Sequence, residues 1–317
     1  MCATFLIVGG GNLGSRHLQG LAQLPNPATI DVYDPNSSAL DRCAQRVAEI
    51  TPKSESIHKI RYFTSSSDLD FNYDLAINAV TSEHRLASLH DTVDLSRNWI
   101  LEKILTQNSG NLTSLCQLFD NRANVWVNHM MRELQWLKSF KDTIQKETIQ
   151  HISIDGMDWS MACNLTHHLD FISWICNANL VSLNVDGLDK SWRLSKRAGN
   201  YDICGKVSAE FENSTTAQFI SRSDGPDRLT VIETDRNSWI IDEIQAEVRK
   251  DNKVMFAGEF DRQSNLTKKL AEDILDHDTC NLPYLHDCIT NHRIFIDAFL
   301  THWKNTVEPE AEAVPIT

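Results

Sequence analysis

The short apolar run Phe5-Leu6-Ile7-Val8 leads directly into Gly9-Gly10-Gly11-Asn12-Leu13-Gly14, and an amphipathic stretch opens with Ser15-Arg16-His17. Glycines at positions 9, 11 and 14, placed between a strand and a helix, constrain the chain more than any other feature. The first permits a tight turn, the second lets backbone approach a pyrophosphate, and the third lets helix and strand pack closely. The N–H groups at the start of the helix then face an anion. Gly9, Gly11, Asn12, Leu13 and Gly14 are therefore the expected phosphate loop of a dinucleotide site. A second apolar run, Thr29-Ile30-Asp31-Val32-Tyr33, ends in Asp34, 20 residues beyond Gly14. A carboxylate there suits a ribose diol and repels a 2′-phosphate, and no arginine immediately follows it. The expected cofactor is NAD rather than NADP.

The chain has 317 residues, enough for two domains of ordinary size. Its net charge of −13 and the absence of a basic run argue against a nucleic-acid partner. No apolar run approaches the ~20 residues of a membrane span, and no leader is expected before the first strand. Eight cysteines are scattered without C-x-x-C spacing, which fits reduced thiols and a cytoplasmic setting.

Through residue 127 short apolar runs alternate with amphipathic segments, the pattern of a doubly wound parallel sheet. Strands are expected at Thr4 to Val8, Ile30 to Tyr33, Ile60 to Phe63, Leu75 to Val80, Trp99 to Leu101 and Val125 to Val127, with a helix from Ser37 to Ile50. From Ile149 the texture changes to closely spaced strands, which predicts a large, open and mostly antiparallel sheet. Helices at Leu266 to Leu275 and Leu285 to Trp303 follow, at least one of them returning to the first domain. The expected division is a Rossmann domain over 1–127, a substrate-binding and oligomerisation domain over 128–306, and a disordered acidic tail over 307–317.

Ligands of open α/β sheets bind at the carboxyl ends of the strands. After the fourth strand, Thr81 and His84 are candidates for lining the nucleotide; in the plainer reading Ser82 only caps a helix. After the fifth come Glu102 and Lys103 on apolar flanks. After the sixth come Asn128, His129 and Arg132, with Arg132 read either as an anion clamp on a substrate or as a structural ion pair between domains. In the second domain, helical spacing puts Cys163, His167, Asp170, Phe171 and Trp174 on one face. Asp170 is placed to fix the imidazole tautomer of His167, and histidine suits proton exchange near neutrality. His167 and His168 diverge by about 100° around the helix and do not ligate one ion together, so no metal is expected.

The glycine motif, Asp34, the Glu102-Lys103 pair, the Asn128 to Arg132 turn and the Cys163 to Asp170 helix occur in the order that characterises one dehydrogenase family. In these features the chain resembles the glucose-fructose oxidoreductase, inositol dehydrogenase and rhizopine-catabolism dehydrogenase family, over nearly its whole length. The resemblance implies an NAD(P)-dependent oxidoreductase acting on a hydroxyl or ketone of a sugar, sugar derivative or cyclitol, in a homodimer or homotetramer. It implies catalytic roles for Lys103 and His167, a cofactor role for Glu102, and substrate contacts from Asn128, Arg132, Cys163 and Asn164. The run Trp159 to Asp170, with Gln263 to Thr267 and Leu282-Pro283, is similar to a branch associated with surface-polysaccharide biosynthesis. Two positions depart from the family pattern. Ile104 stands where the family has proline after its lysine, so a cis bond is not expected, because a non-proline cis bond costs about 2.5–4 kcal/mol. Cys163 stands where the family has an aspartate, which removes a carboxylate relay. These departures favour the rival reading of a non-catalytic sugar- or nucleotide-binding regulator, as in galactose-pathway repressor relatives. The same family also includes cofactor-assisted glycoside cleavage.

Overall fold

The computed structural model describes residues 2–50, 58–70, 72–120 and 124–317. The described residues divide into two compact units. The first holds the residues up to Leu105 together with Thr113–Asn128 and Asp261–His286; the second holds Thr106–Leu112, His129–Phe260 and Asp287–Thr317.

In the first unit, strands β1 (Ala3–Val8), β2 (Ala28–Tyr33), β3 (Lys59–Phe63), β4 (Leu75–Asn78), β5 (Asn98–Leu101) and β6 (Asn124–Val127) form one sheet. Its order is β3-β2-β1-β4-β5-β6 and every pair is parallel. This is the doubly wound arrangement, with its switch point between β1 and β4. The central strands are apolar on both faces because helices cover both, and Phe5, Leu6, Ile7, Leu75 and Ile77 are wholly buried. The polar exception in β2 is Asp31, also wholly buried, which accepts two hydrogen bonds from Arg61 (2.7 and 2.6 Å) and one from Tyr73. Pairing on this scale is what a buried carboxylate requires.

Helices α1 (Gly14–Leu21), α2 (Ser37–Ala48), α3 (Arg85–Thr92) and α4 (Ser109–Leu118) lie between the strands. The side chain of Asn36 accepts the Ser38 N–H (3.0 Å) and so caps α2, as the sequence suggests.

The second unit is built on an eight-stranded sheet. After helix α5 (Gln135–Ile144), strand β7 (Ile149–Met157) precedes helix α6 (Met161–Cys176). There follow β8 (Leu180–Leu188), the short ribbon β9 (Arg193–Leu194) and β10 (Tyr201–Asp202), β11 (Gly205–Phe211), β12 (Thr216–Arg222), β13 (Leu229–Thr234), β14 (Ser238–Asp242), β15 (Glu247–Lys250) and β16 (Lys253–Ala257). The large sheet runs β16-β15-β14-β13-β7-β12-β11-β8, antiparallel except where β7 meets β12. The β15–β16 hairpin was not apparent from hydrophobicity because β15 carries three charged residues in four. Its turn residues, Asp251 and Asn252, have φ of 51° and 61°, the left-handed pair that a two-residue hairpin favours.

Two expectations about organisation are corrected. Helix α7 (Gln263–His277) belongs to the first unit: Leu270, Ala271 and Ile274 join Leu18, Leu21 and Ile30 in its core. The first unit is therefore not a contiguous 1–127 segment. Helix α7 lies so close to α1 that a Cβ on Gly20 would come within 2.4 Å of the Ser264 carbonyl oxygen. Helix α8 (Leu285–Thr306) lies mostly in the second unit. Residues 307–317 are not a disordered tail: Ala311, Val314 and Ile316 are buried, and the backbone is tied into the second unit. Val314 N–H donates to Gln107 O (3.0 Å), Tyr201 N–H to Pro315 O (2.8 Å), and Gln107 Nε2 to Ile316 O (3.0 Å). Apolar residues between the tail's acids outweigh the charge that suggested disorder. Among the described residues, no helix is long and apolar enough to cross a membrane.

Candidate functional site

The glycine turn follows β1 at the switch point. Gly9 has φ +96°, and a Cβ on it would meet Val80 at 2.9 Å. A Cβ on Gly14 would lie 1.8 Å from the Gly9 carbonyl oxygen. A Cβ on Gly11 meets nothing within 4 Å, so this is the open side of the turn. Gly9 thus shows the tight turn, and Gly14 the close packing, expected of them. Helix α1 starts at Gly14, and its next N–H groups, those of Ser15, Arg16 and His17, donate to Gly11 O (3.0 Å), Leu13 O (2.8 Å) and Leu13 O (3.0 Å).

Asp34 stands just beyond β2. Its Oδ2 accepts Gly10 N–H (2.8 Å) and its Oδ1 accepts Asn36 N–H (2.9 Å), which leaves lone pairs on both oxygens for a diol. Arg46 of α2 donates to the Asn12 carbonyl oxygen (2.8 Å). Burial, and then the positive charge of Arg16, lower the Arg46 pKa, with Glu49 opposing. Cys43 donates to Gly10 O (3.3 Å), and burial, then Asp34, push its thiol up to about 11. Thr81 and His84 are exposed, and His84 faces Glu83 at 3.7 Å. His84 makes no side-chain cap to α3.

Glu102 turns inward. Its Oε1 accepts from His17 Nε2 (2.9 Å) and from Asn128 Nδ2, while His17 Nδ1 meets Thr267 Oγ1 at 2.8 Å. Asn128 also donates to Gln263 Oε1 (3.1 Å). His17, Glu102 and Asn128 are all buried, so the expected cofactor and substrate contacts of Glu102 and Asn128 give way to a network joining α1, β5 and α7. Burial raises the Glu102 carboxyl, but the bond and charge of His17, then Asn128 and Arg85, outweigh it and hold the carboxyl below its ordinary value. A carboxyl depressed in this way adds stability above its unfolded pKa of about 4.3, and loses it as pH falls through the lower folded value. Glu102→Gln is expected to lower stability at pH 7 by roughly 1–3 kcal/mol. Urea unfolding at pH 7 and pH 3 should show the gap to the parent chain closing in acid; an equal gap at both would contradict the assignment.

Lys103 follows β5 and is 8 % exposed. The Lys103–Ile104 bond is cis, contrary to the expectation from the missing proline. The buried Arg85 guanidinium donates to the carbonyl oxygens of Ile104, Leu105 (3.1 Å) and Val80 (2.6 Å), and the Ile104 side chain is wholly buried. Backbone and side chain on the carboxyl side of Lys103 are thus both held.

In the second unit, α6 begins after Ser160 in the left-handed region (φ 56°), with Asp202 Oδ1 accepting its Ala162 N–H (2.9 Å). Cys163, Asn164, His167 and Trp174 are partly exposed along one side, while Asp170 and Phe171 are buried. Asp170 therefore does not orient His167. Its two oxygens accept from Arg132 Nε (2.8 Å) and Nη2 (2.7 Å), an ion pair within the second unit rather than the expected one between domains. Burial raises the Asp170 carboxyl and Arg132 opposes the rise. Asn164 Nδ2 donates to Trp159 O (2.8 Å), which ties its amide to the start of the helix.

His167 Nδ1 instead meets Nδ1 of His129 at 3.4 Å, with the rings edge to face. His292 of α8 packs on the other side of His129 at 5.4 Å. Sequence reasoning noted His129 without giving it a role and missed His292. The signal for His292 is its place four residues after Cys288 and three before Phe295, on the inward stripe of α8. His168 is buried, and burial, then the charges of Arg228 and His167, hold its pKa well below the ordinary value. It is not the exchanging group. His129, Asp170 and Cys288 bring possible ligand atoms within 4.8 Å of one another, but both Asp170 oxygens already accept from Arg132.

No protein-family model and no curated protein sequence matches the chain. Solved structures do. A UDP-N-acetylglucosamine 3-dehydrogenase from Acidithiobacillus ferrooxidans is 15% identical with a TM-score of 0.69, covering 98% of this chain and 99% of its own. A myo-inositol dehydrogenase from Lactobacillus casei, in complex with NAD(H) and myo-inositol, is 14% identical with a TM-score of 0.71 over 96% of each chain. An oxidoreductase from Thermotoga maritima is 13% identical with a TM-score of 0.71, covering 94% of this chain and 97% of its own. The chain has the two-part α/β fold of these enzymes along almost its whole length.

Proposed function

We propose that the chain is an NAD-dependent oxidoreductase of the glucose-fructose oxidoreductase, inositol dehydrogenase and rhizopine-catabolism family, acting on a secondary hydroxyl of a sugar, nucleotide sugar or cyclitol. The observation that carries this reading is the glycine turn. Gly14 seats α1 against the Gly9 carbonyl, Gly11 stands on the open side of the turn, and Asp34 waits at the end of the neighbouring strand. The fold shared with two named sugar and cyclitol dehydrogenases supports the substrate class. Association into a homodimer or homotetramer, and a place in surface-polysaccharide synthesis, belong to the same reading.

Gly9, Gly11, Asn12, Leu13 and Gly14 hold the diphosphate and Asp34 the ribose diol. NAD, when bound, supplies a hydride acceptor. His167 Nε2 takes the hydroxyl proton, and the Lys103 ammonium donates a hydrogen bond to the substrate oxygen as charge develops on it.

The test is Asp34→Ala. The variant is expected to weaken NADH binding about tenfold or more, the loss of a charged hydrogen-bond acceptor for the diol, and to narrow the margin over NADPH. Competitive titration with the two nucleotides reads both effects. An unchanged preference would remove Asp34 from the ribose site.

A further inference from the structure

Taking His167 as the base under the proposed function, we infer that His129 is the positioning residue that fixes its tautomer. The Nδ1 atoms of the two rings are 3.4 Å apart, and an N···N contact of this kind holds one proton. If His167 donates it, the lone pair of His167 lies at Nε2 and can receive a proton. If His167 accepts it, Nε2 carries hydrogen and the ring cannot serve as a base. His129 in the acceptor state carries its own proton on Nε2.

Under the proposed function the base needs an open Nε2, and only the state in which His129 accepts supplies it. Around the pair, a carboxylate oxygen of Asp170 and Sγ of Cys288 each lie within 4.8 Å of a His129 ring nitrogen, and Arg132 holds that carboxylate through both of its oxygens. His292 donates from Nδ1 to Cys288 O (3.1 Å), so its tautomer is set by its own helix. His129 is 1 % exposed, with the His167 ring edge-on at 89° on one side and the His292 ring tilted by 53° on the other. Packed in this way, His129 presents one fixed nitrogen to His167. When His167 Nε2 takes a hydroxyl proton, the resulting imidazolium keeps its Nδ1–H on His129 Nδ1, and no second proton moves.

Long-range proton–nitrogen spectra of the purified chain, with neither nucleotide nor substrate added, report which nitrogen of each neutral histidine is protonated. His167 should be the Nδ1–H tautomer, and an Nε2–H signal would overturn the inference. His129→Phe keeps an aromatic ring between its neighbours and removes the acceptor. It should turn His167 into a mixture of tautomers and shift the acid limb of the pH–rate profile. It should also lower kcat by roughly tenfold at unchanged KM, the effect of one lost hydrogen bond, with NAD and either myo-inositol or UDP-N-acetylglucosamine as probes. His129→Asn, which restores an acceptor, should recover part of the tautomer preference, and it decides the question if the phenylalanine variant does not fold. A His167 spectrum unchanged in both variants would overturn the inference. Turnover that survives His167→Ala would instead defeat the base assignment, with the parent spectrum still deciding what His129 does.

Discussion

Gly14→Ala should abolish NADH binding and destabilise the first unit by about 3 kcal/mol, at the upper end of what overpacking costs. The added Cβ would stand 1.8 Å from the Gly9 carbonyl oxygen and 3.0 Å from its carbon. Both neighbours are backbone, so no side-chain rotation relieves the overlap and α1 itself must move. His17 lies three residues along that helix, and its bonds to Glu102 and Thr267 would be disturbed with it. Gly11→Ala is the informative companion. Its Cβ meets nothing within 4 Å, so the chain should melt at the parent temperature and yet bind NADH far more weakly, because the methyl fills the space a phosphate needs. Thermal melting and calorimetry on the two variants separate the packing glycine from the ligand-facing one. A Gly14→Ala protein with parent stability and affinity would contradict the geometry of the turn.

His167→Ala should leave the NADH dissociation constant unchanged and lower kcat by about 10²–10⁴, the usual range for a positioned base. His167 is partly exposed on α6 of the second unit, and the phosphate loop belongs to the first, so binding and turnover should part company. Nucleotide titration and steady-state rates on the same preparation check this. Equal losses of affinity and rate would point to a structural role, and unchanged turnover would mean that the base lies elsewhere.

The first unit was legible because its signals are local. The apolar runs fix six strands within a residue or two, and the three glycines constrain their own surroundings whatever packs around them. Lys103 and Asp34 could be found because they sit at strand ends, where the sheet topology determines position. In the second unit, helical spacing placed His167 and Asp170 on one face, but spacing does not say which way a side chain is drawn. The buried carboxylate went to Arg132, whose bidentate fork compensates it more fully than an imidazole N–H does. That left His167 to His129, 38 residues earlier, a pairing that no periodicity reveals. Glu102 was misjudged for a related reason. His17, one turn into α1, was not recognised as its partner because the partnership depends on Thr267 from a helix 250 residues away. The last residues looked disordered by charge, yet Val314 and Ile316 are wholly buried.

If the glycine turn and Asp34 form a working NAD site, calorimetric titration of the nucleotide-stripped chain with NADH and with NADPH should show saturable binding of NADH at one site per chain, tighter than that of NADPH. Failure to bind either nucleotide would contradict that reading and leave the turn as a fold element alone.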